Sequence, residues 1–317
     1  MNNTKKMPYS IVFLSSGDIA APVFEELIKN VDFSVKALIC QPNKAQGREK
    51  VMKKSLIQLI AERNEIKIFQ PENISSDNDL LKIIKEIKPD FLITFAYGQI
   101  LNKEWLEVSS IAAINIHASI LPKYRGASPI QAAILNGDRE TGISIMKMEE
   151  KMDAGPVYFI HKIKINENIF AYMLHDELAN LARDIIPDDL KKIAETPHSF
   201  KAQNDNEATY CKKIKREDGF LDFQSNASTI MSMFRAYNPW PGIYTTFRGK
   251  RLKLLDIEIE SDIIPPGYVV CDEDKLKIGT MDGCISVKQL QIESKQSLHH
   301  NVFIIGQQDF CNRYLPS

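Results

Sequence analysis

The sequence predicts an α/β protein of two domains, in which a Rossmann-like domain with a mostly parallel sheet precedes a small, OB-like β-barrel domain. Its 317 residues exceed the usual size of one domain. In the first half, short apolar runs alternate with longer amphipathic stretches, an order typical of a parallel sheet with helical crossovers. In the last third, short β-type runs are separated by Gly, Pro and Asp-Gly turns.

Four apolar runs in the first half predict strands that are buried on both faces. The stretches between them carry apolar residues at helical spacing, so strands and helices alternate and the connections are right-handed. The predicted strands are residues 10–14, 35–40, 91–95 and 112–116, and the predicted helices are residues 22–29, 56–63 and 80–87.

A further helix is marked at both ends. Ser128 suits the N-cap, Pro129 the first helical position, and Gly137 the position after the end. The segment before Ser128 therefore connects a strand to a helix, where open α/β sheets usually bind their ligands. An amphipathic stretch over residues 171–183 predicts one more helix, which we expect to end before Pro187.

The polar segment 197–208 predicts a linker between the domains. We therefore expect a catalytic domain over residues 1–196 and a C-terminal β-barrel domain over residues 209–317. The β-type runs of the second domain are residues 243–247, 252–259, 267–271, 275–279 and 284–290.

Composition argues against several classes of protein. No apolar run is long enough for a membrane helix, and a net charge of -1 argues against coating nucleic acid by bulk electrostatics, so any RNA contact must be local. The five cysteines are widely spaced without a C-x-x-C pair, which predicts neither a disulfide framework nor a zinc site. This pattern fits a reducing cytosol or organelle matrix, and we expect the cytoplasm.

Asn115 and His117 lie two residues apart at the end of a predicted strand, so their side chains point the same way. Together with Asp153 they suit transfer of a formyl group to an amine. Asn115 can donate to the oxyanion of the tetrahedral centre, and His117 can donate to it or shuttle the proton. Asp153 can orient the imidazole and support its charged form. This chemistry requires no metal, but a single His near a strand end is usually structural, so the surroundings decide.

These surroundings resemble the folate-dependent formyltransferase family, whose core consists of Asn-x-His, S-L-L-P-x-x-R-G and a later D-x-G turn. Here the elements are Asn115, His117, Ser119–Pro122 with Ile120 in place of the commoner Leu, Arg125–Gly126 and Asp153–Gly155. The resemblance implies catalysis by Asn115, His117 and Asp153, with 10-formyltetrahydrofolate as the formyl donor. The residues it implies for binding this donor are Phe95, Tyr97, Gly98, Ile100, Ser119, Ile120, Leu121, Pro122, Met148 and Gly155.

The resemblance covers nearly the whole chain and is specific for methionyl-tRNA formyltransferases. It implies formylation of the α-amino group of methionyl-initiator tRNA for translation initiation, by a monomer. In that family the loop at residues 41–54 reads the acceptor end of the tRNA, although Glu49 and Val51 depart here from the usual G-R-G-K-K. The residues expected to contact tRNA are Lys44, Arg48, Lys50, Lys212, Lys213, Lys215, Arg248, Lys250 and Arg251.

Other interpretations of the same residues stay open. The basic residues could form a solvated surface, and Trp240, between two prolines, predicts a packing anchor rather than a platform for base stacking. An amino-sugar nucleotide could be the acceptor, or the same cavity could hydrolyse 10-formyltetrahydrofolate. A non-catalytic RNA-binding protein would be expected to lose the triad. Residues 15–18 lack the glycines of a dinucleotide site, which disfavours a nicotinamide cofactor and an oxidoreductase.

Overall fold

The structure is a computed structural model that describes residues 7–43, 45–46, 51–52, 54–272 and 275–316, with only the backbone described at 45–46 and 51–52. Contacts divide the chain into two compact units. The first consists of Met1–Pro129, Glu140–Lys164 and Leu174–Lys212, and the second of Ile130–Arg139, Ile165–Met173 and Lys213–Ser317.

The described residues form strands in both units. They are β1 (Tyr9–Leu14), β2 (Phe33–Ile39), β3 (Ala45–Gln46), β4 (Val51–Met52), β5 (Lys67–Phe69), β6 (Phe91–Thr94), β7 (Ala112–His117), β8 (Arg125–Gly126), β9 (Glu140–Lys147), β10 (Val157–Lys164), β11 (Tyr210–Cys211), β12 (Ile243–Phe247), β13 (Lys250–Glu260), β14 (Val269–Cys271), β15 (Leu276–Gly279), β16 (Cys284–Ile292) and β17 (Leu298–His299).

Helices connect these strands. They are α1 (Ala21–Lys29), α2 (Leu56–Arg63), α3 (Asn78–Ile87), α4 (Lys103–Leu106), α5 (Pro129–Leu135), α6 (Ala171–Glu195), α7 (Ala227–Tyr237) and α8 (His300–Gly306).

The first unit is built on a seven-stranded sheet with the order β10-β9-β7-β6-β1-β2-β5. The strands from β7 to β5 in this order run parallel, and β9 and β10 are antiparallel at one edge. Strands β1, β6 and β7 are almost wholly buried, as expected for apolar runs covered on both faces. The predicted α/β class with a mostly parallel sheet is confirmed.

Helix α6 differs from the prediction, because it continues through Pro187 to Glu195. Proline removes one backbone donor, which normally ends or kinks a helix. Here Ile186, Leu190 and Ile193 on both sides of the proline are fully buried. The carboxylate of Asp189 also accepts a hydrogen bond from His161 Nε2 at 2.7 Å. Burial along this face therefore outweighs one lost hydrogen bond.

Residues 197–208, the expected linker, lie within the first unit. Lys201 pairs with Val157 through two backbone hydrogen bonds of 2.8 and 2.9 Å. Beyond this segment, β11 pairs with β8 in parallel. The segment therefore contributes side chains to the same unit as Asn115, His117 and Asp153.

The second unit contains an antiparallel sheet with the order β12-β13-β16-β15-β14, and β17 pairs with β16. Buried residues alternate with partly buried residues along its strands, as they do along β12. An antiparallel β domain after the parallel sheet is confirmed, and its closure into an OB-like barrel stays a prediction.

The cysteine prediction was wrong, because Cys271 and Cys311 form a disulfide with their Cα atoms 5.6 Å apart. The C-terminal segment returns to β14, where Asn312 and Val269 are joined by a backbone hydrogen bond of 2.9 Å. This return brings together two cysteines that are 40 residues apart in sequence. No local sequence pattern predicts the pairing of two cysteines this far apart.

Among the described residues, none of the helices has the length and apolar character needed to cross a membrane.

Candidate active site

The candidate site begins where two parallel strands end. Thr94 closes β6 and is the register partner of Asn115 on β7. The Thr94 hydroxyl donates to Asn115 Oδ1 at 2.9 Å, so the oxygen of this carboxamide is held and its nitrogen faces away from Thr94. The position of Asn115 therefore follows from the strand register and from one buried hydroxyl group.

Asp153 lies in the loop between β9 and β10 and joins two other segments. Its Oδ1 accepts a hydrogen bond from Asn115 Nδ2 at 3.2 Å, and its Oδ2 accepts one from the backbone N–H of Gly126 at 2.8 Å. Its φ is 50°, in the left-handed region that a non-glycine residue rarely adopts. A backbone conformation of this kind persists only where neighbouring contacts stabilise it.

His117 is buried at the end of β7, and its two ring nitrogens have different neighbours. Nε2 lies 3.0 Å from the carbonyl oxygen of Tyr124. Because a carbonyl only accepts, Nε2 carries a proton. Nδ1 lies 3.7 Å from Asp153 Oδ2. In the neutral imidazole, Nδ1 is therefore the nitrogen with a free lone pair, and in the charged form its N–H faces a carboxylate.

The structure thus brings Asn115, His117 and Asp153 together around one carboxylate. One amide N–H of Asn115 is used by Asp153, which leaves its second N–H for another acceptor. Nδ1 of His117 can take a proton while Asp153 stabilises the resulting charge. An amide donor and a base within one partly buried cluster provide the groups that acyl transfer to an amine requires.

The segment after β7 is fixed by hydrogen bonds of its own. The Ser119 hydroxyl donates to the Lys123 carbonyl at 2.6 Å, and Ser144 both donates to the Ser119 carbonyl and accepts from the Leu121 N–H. Ser119 and Leu121 are buried, and Ile120 and Pro122 are partly buried beside them. This predicted donor-binding segment is therefore an ordered turn next to His117.

The other predicted donor-binding residues lie in the loop after β6 and in the loop between β9 and β10. Their side chains differ in exposure. Phe95 and Tyr97 are buried, whereas Ile100 is 67% exposed. The Tyr97 hydroxyl is buried without a hydrogen-bond partner among the described residues, and burial raises the pKa of this phenol. Gly98 has a φ of 79°. The Met148 sulfur lies 3.3 Å from the Thr94 hydroxyl oxygen, which places Met148 beside Asn115.

Several residues hold the cluster in place in a way that the sequence did not predict. Thr94 and the Tyr124 carbonyl hold the two predicted side chains. Arg125, part of the recognised motif, is 1% exposed and donates to Gln203 and Asp205. Its guanidinium group, together with Lys151, lowers the pKa of Asp205. Gln203 lies in the expected linker, and no local sequence pattern marks it.

Three of the residues expected to contact tRNA, Lys44, Arg48 and Lys50, lie outside the described residues. The others are surface residues with different surroundings. Lys212, Lys213, Lys215 and Lys250 are exposed. Arg248 is paired with Asp309 and also donates to Gln307 at 3.1 Å, and the Arg251 guanidinium lies 4.7 Å from the Tyr244 ring centroid. The packing prediction for Trp240 was wrong, because this residue is 56% exposed.

Comparison with known proteins agrees with this arrangement. The formyl transferase family matches residues 9–190, and the formyl transferase C-terminal domain matches residues 213–308. The methionyl-tRNA formyltransferase of Caldanaerobacter subterraneus is 36% identical over 298 residues, which cover 93% of this chain and 96% of that protein. The enzyme of the same name from Halothermothrix orenii is 34% identical and covers 94% of this chain and 96% of that protein.

The chain belongs to the methionyl-tRNA formyltransferase family. The family resemblance seen in the sequence is therefore confirmed, and the protein is a formyltransferase. The N-formyltransferase from Helicobacter canadensis, in complex with folinic acid and dTDP-3-aminofucose, shares the fold with a TM-score of 0.65 at 20% identity. That similarity covers 89% of this chain and 98% of the Helicobacter protein.

Proposed function

We propose that the protein transfers the formyl group of 10-formyltetrahydrofolate to the α-amino group of methionyl-initiator tRNA. The observation that carries the proposal is the cluster in which Asp153 accepts from Asn115 and lies beside His117 Nδ1. The near full-length relatives that bear the name methionyl-tRNA formyltransferase support the choice of acceptor. In this scheme residues 1–196 carry the chemistry and residues 209–317 contact tRNA, with residues 197–208 between them.

The proposed step forms a bond between the amine nitrogen and the formyl carbon and breaks the bond between that carbon and the donor nitrogen. The second N–H of Asn115 donates to the oxyanion of the tetrahedral centre. His117 Nδ1 takes the proton that the amine loses and then gives it to the leaving nitrogen of the donor. Asp153 stabilises the imidazolium in between. An α-amine has an ordinary pKa of about 7.7–8.0, so part of it is already neutral at physiological pH.

The donor is proposed to bind against three segments, Phe95–Ile100, Ser119–Pro122 and Met148–Gly155. They supply apolar side chains, such as Leu121 and Ile100, beside the Asn115 carboxamide, whose second N–H is not used by Asp153. A flat heterocycle with a polar edge suits a mixture of this kind. All three segments, like the three proposed catalytic residues, belong to one chain. We therefore propose that the protein acts as a monomer. We also propose that it acts in the cytoplasm, where translation initiates.

A formylation assay tests the proposal. Wild-type protein is given 10-formyltetrahydrofolate with charged initiator tRNA, charged elongator methionine tRNA or a dTDP-amino sugar, and formate release is measured without an acceptor. We expect formylation of the initiator tRNA, with loss of about 100- to 1000-fold in kcat for His117→Ala and retained binding of the folate. Preference for the sugar, or formate release at the same rate without tRNA, would contradict the proposal. Arg48→Ala, in the loop outside the described residues, is expected to impair use of tRNA.

A further inference from the structure

Gln203 stands between a buried arginine and the loop that carries Asp153. Its Oε1 accepts from Nε and Nη2 of Arg125 at 3.1 and 2.9 Å. Its Nε2 donates to the backbone carbonyls of Asp153 and Gly155 at 2.9 and 2.7 Å. A carboxamide can donate two hydrogen bonds and accept two, so every hydrogen-bonding position of this side chain is occupied. Its orientation is therefore fixed from both sides.

The two carbonyl groups that Gln203 holds flank the strained part of the loop. Asp153 has a positive φ, and Gly155 packs so closely on the Lys147 carbonyl that a Cβ atom there would collide with it. The positive φ of Asp153 is unfavourable by itself, and the close approach at Gly155 leaves no room for a side chain, so the turn depends on the contacts that hold it. While its backbone carbonyl is held by Gln203, the Asp153 carboxylate reaches Asn115 and the Gly126 N–H.

Arg125 and Gly126 are neighbours in the chain, and both act on Asp153. Gly126 donates directly to the carboxylate, and Arg125 acts on the backbone through Gln203. The Arg125 side chain is fully buried, and Asp205 neutralises it with a bond of 2.7 Å. A buried guanidinium with its acceptors in place is a rigid support, because any shift would leave a charged donor unpaired.

We propose that Gln203 is a positioning residue for formyl transfer, which acts by holding the Asp153–Gly155 turn so that the Asp153 carboxylate meets Asn115 and His117. The inference rests on the proposed function, in which Asp153 stabilises the charged imidazole. Gln203 does not touch the reacting atoms. Its loss therefore lowers the rate of the chemical step and leaves substrate binding nearly unchanged.

The most informative variant is Gln203→Glu, which keeps the size of the side chain and its acceptors for Arg125. It replaces the two N–H donors by an oxygen that faces two carbonyl oxygens, so the loop loses its support while Arg125 keeps its partner. Gln203→Ala removes both sets of bonds. Asn206→Asp is the matched control, because it makes the same amide-to-carboxylate change three residues away, on an exposed side chain that has no hydrogen bond to Arg125, Asp153 or Gly155 among the described residues.

The experiment measures kcat and KM for the donor and for methionyl-initiator tRNA, with activity normalised to the folded fraction. We expect kcat to fall about 10- to 100-fold in both Gln203 variants, with each KM within about threefold of wild type. Asn206→Asp is expected to keep kcat within about threefold. A normalised kcat near wild type, a change confined to KM, or equal losses in the Gln203 and Asn206 variants would overturn the inference.

Amide hydrogen exchange provides a readout that does not depend on activity. The Gly126 N–H donates to the Asp153 carboxylate, so its protection reports where that carboxylate lies. We expect its exchange to accelerate by about tenfold in Gln203→Glu but not in Asn206→Asp. Unchanged protection would overturn the inference even if formylation were lost. If the wild-type protein formylated no tRNA but Gln203→Glu still accelerated exchange at Gly126, the proposed function alone would be contradicted.

Discussion

The proposed catalytic cluster and the basic residues of the β domain use polar side chains in opposite ways. Around Asp153, each carboxylate oxygen accepts a hydrogen bond from a partner held by the sheet or by a short turn. Across the β domain, Lys213, Lys215 and Lys250 are exposed. Acyl transfer needs a few atoms in fixed positions, whereas binding to phosphates needs positive charge spread over a surface. Substitutions in the two regions should therefore affect different kinetic constants.

The largest effect is expected for Asp153→Asn. In the wild type, the Asn115 N–H and the Gly126 N–H each donate to one oxygen of the Asp153 carboxylate. The isosteric amide keeps only one acceptor oxygen, so one of these two donors would face the amide nitrogen and lose its acceptor. The charge beside His117 is lost as well. We expect kcat to fall about 100- to 1000-fold with little change in KM for tRNA, measured by steady-state formylation. A change in KM alone would remove the distinction between the two regions.

A smaller effect on the same constant is expected for Thr94→Val. This substitution keeps the shape of the side chain and removes the hydroxyl that donates to Asn115 Oδ1. Asn115 then loses one of its two restraints, so kcat should fall roughly tenfold while binding of 10-formyltetrahydrofolate is retained. Equilibrium binding of the folate separates the two quantities. Thr94→Ser, which restores the hydroxyl, should recover most of the rate, and failure to do so would indicate a packing effect.

In the β domain, Lys213→Ala combined with Lys215→Ala should raise KM for tRNA about 3- to 10-fold and leave kcat unchanged. For every phosphate that a lysine no longer neutralises, the slope of log affinity against log salt should become shallower by about 0.7–0.9. Lys288→Gln is the control, because this exposed lysine is already paired with Glu258. If the double variant and the control had the same salt dependence, the two lysines would belong to an ordinary solvated surface.

The smallest effect on activity is expected from reduction of the Cys271–Cys311 disulfide. The bond closes a loop of 40 residues, for which chain entropy predicts roughly 3–4 kcal/mol of stability. Reductant should therefore lower the urea midpoint of the wild type but not that of Cys271→Ser. The formylation rate of the folded protein should stay unchanged. An equal midpoint with and without reductant would show that the disulfide does not stabilise the fold.

The parts of this molecule that were predictable from sequence are those with local patterns. Apolar runs marked the strands, and the spacing of Asn115 and His117 placed both side chains at one strand end. Asp153 was identified through family resemblance. The path of α6 through Pro187 and the pairing of Cys271 with Cys311 depend on packing against distant segments, which no local pattern records. The same is true of Gln203, whose bonds to Arg125 and to the Asp153 loop span long distances in the sequence.

The most direct test of the account is a double-mutant cycle on the single-turnover rate of formyl transfer to methionyl-initiator tRNA. The rates of Asn115→Ala, His117→Ala and the double variant are compared with wild type at saturating substrates. If the Asp153 carboxylate joins the two side chains into one unit, the double variant will be about as slow as the slower single variant. A loss in the double variant equal to the product of the two single losses would show that the two residues act independently, and would contradict the account.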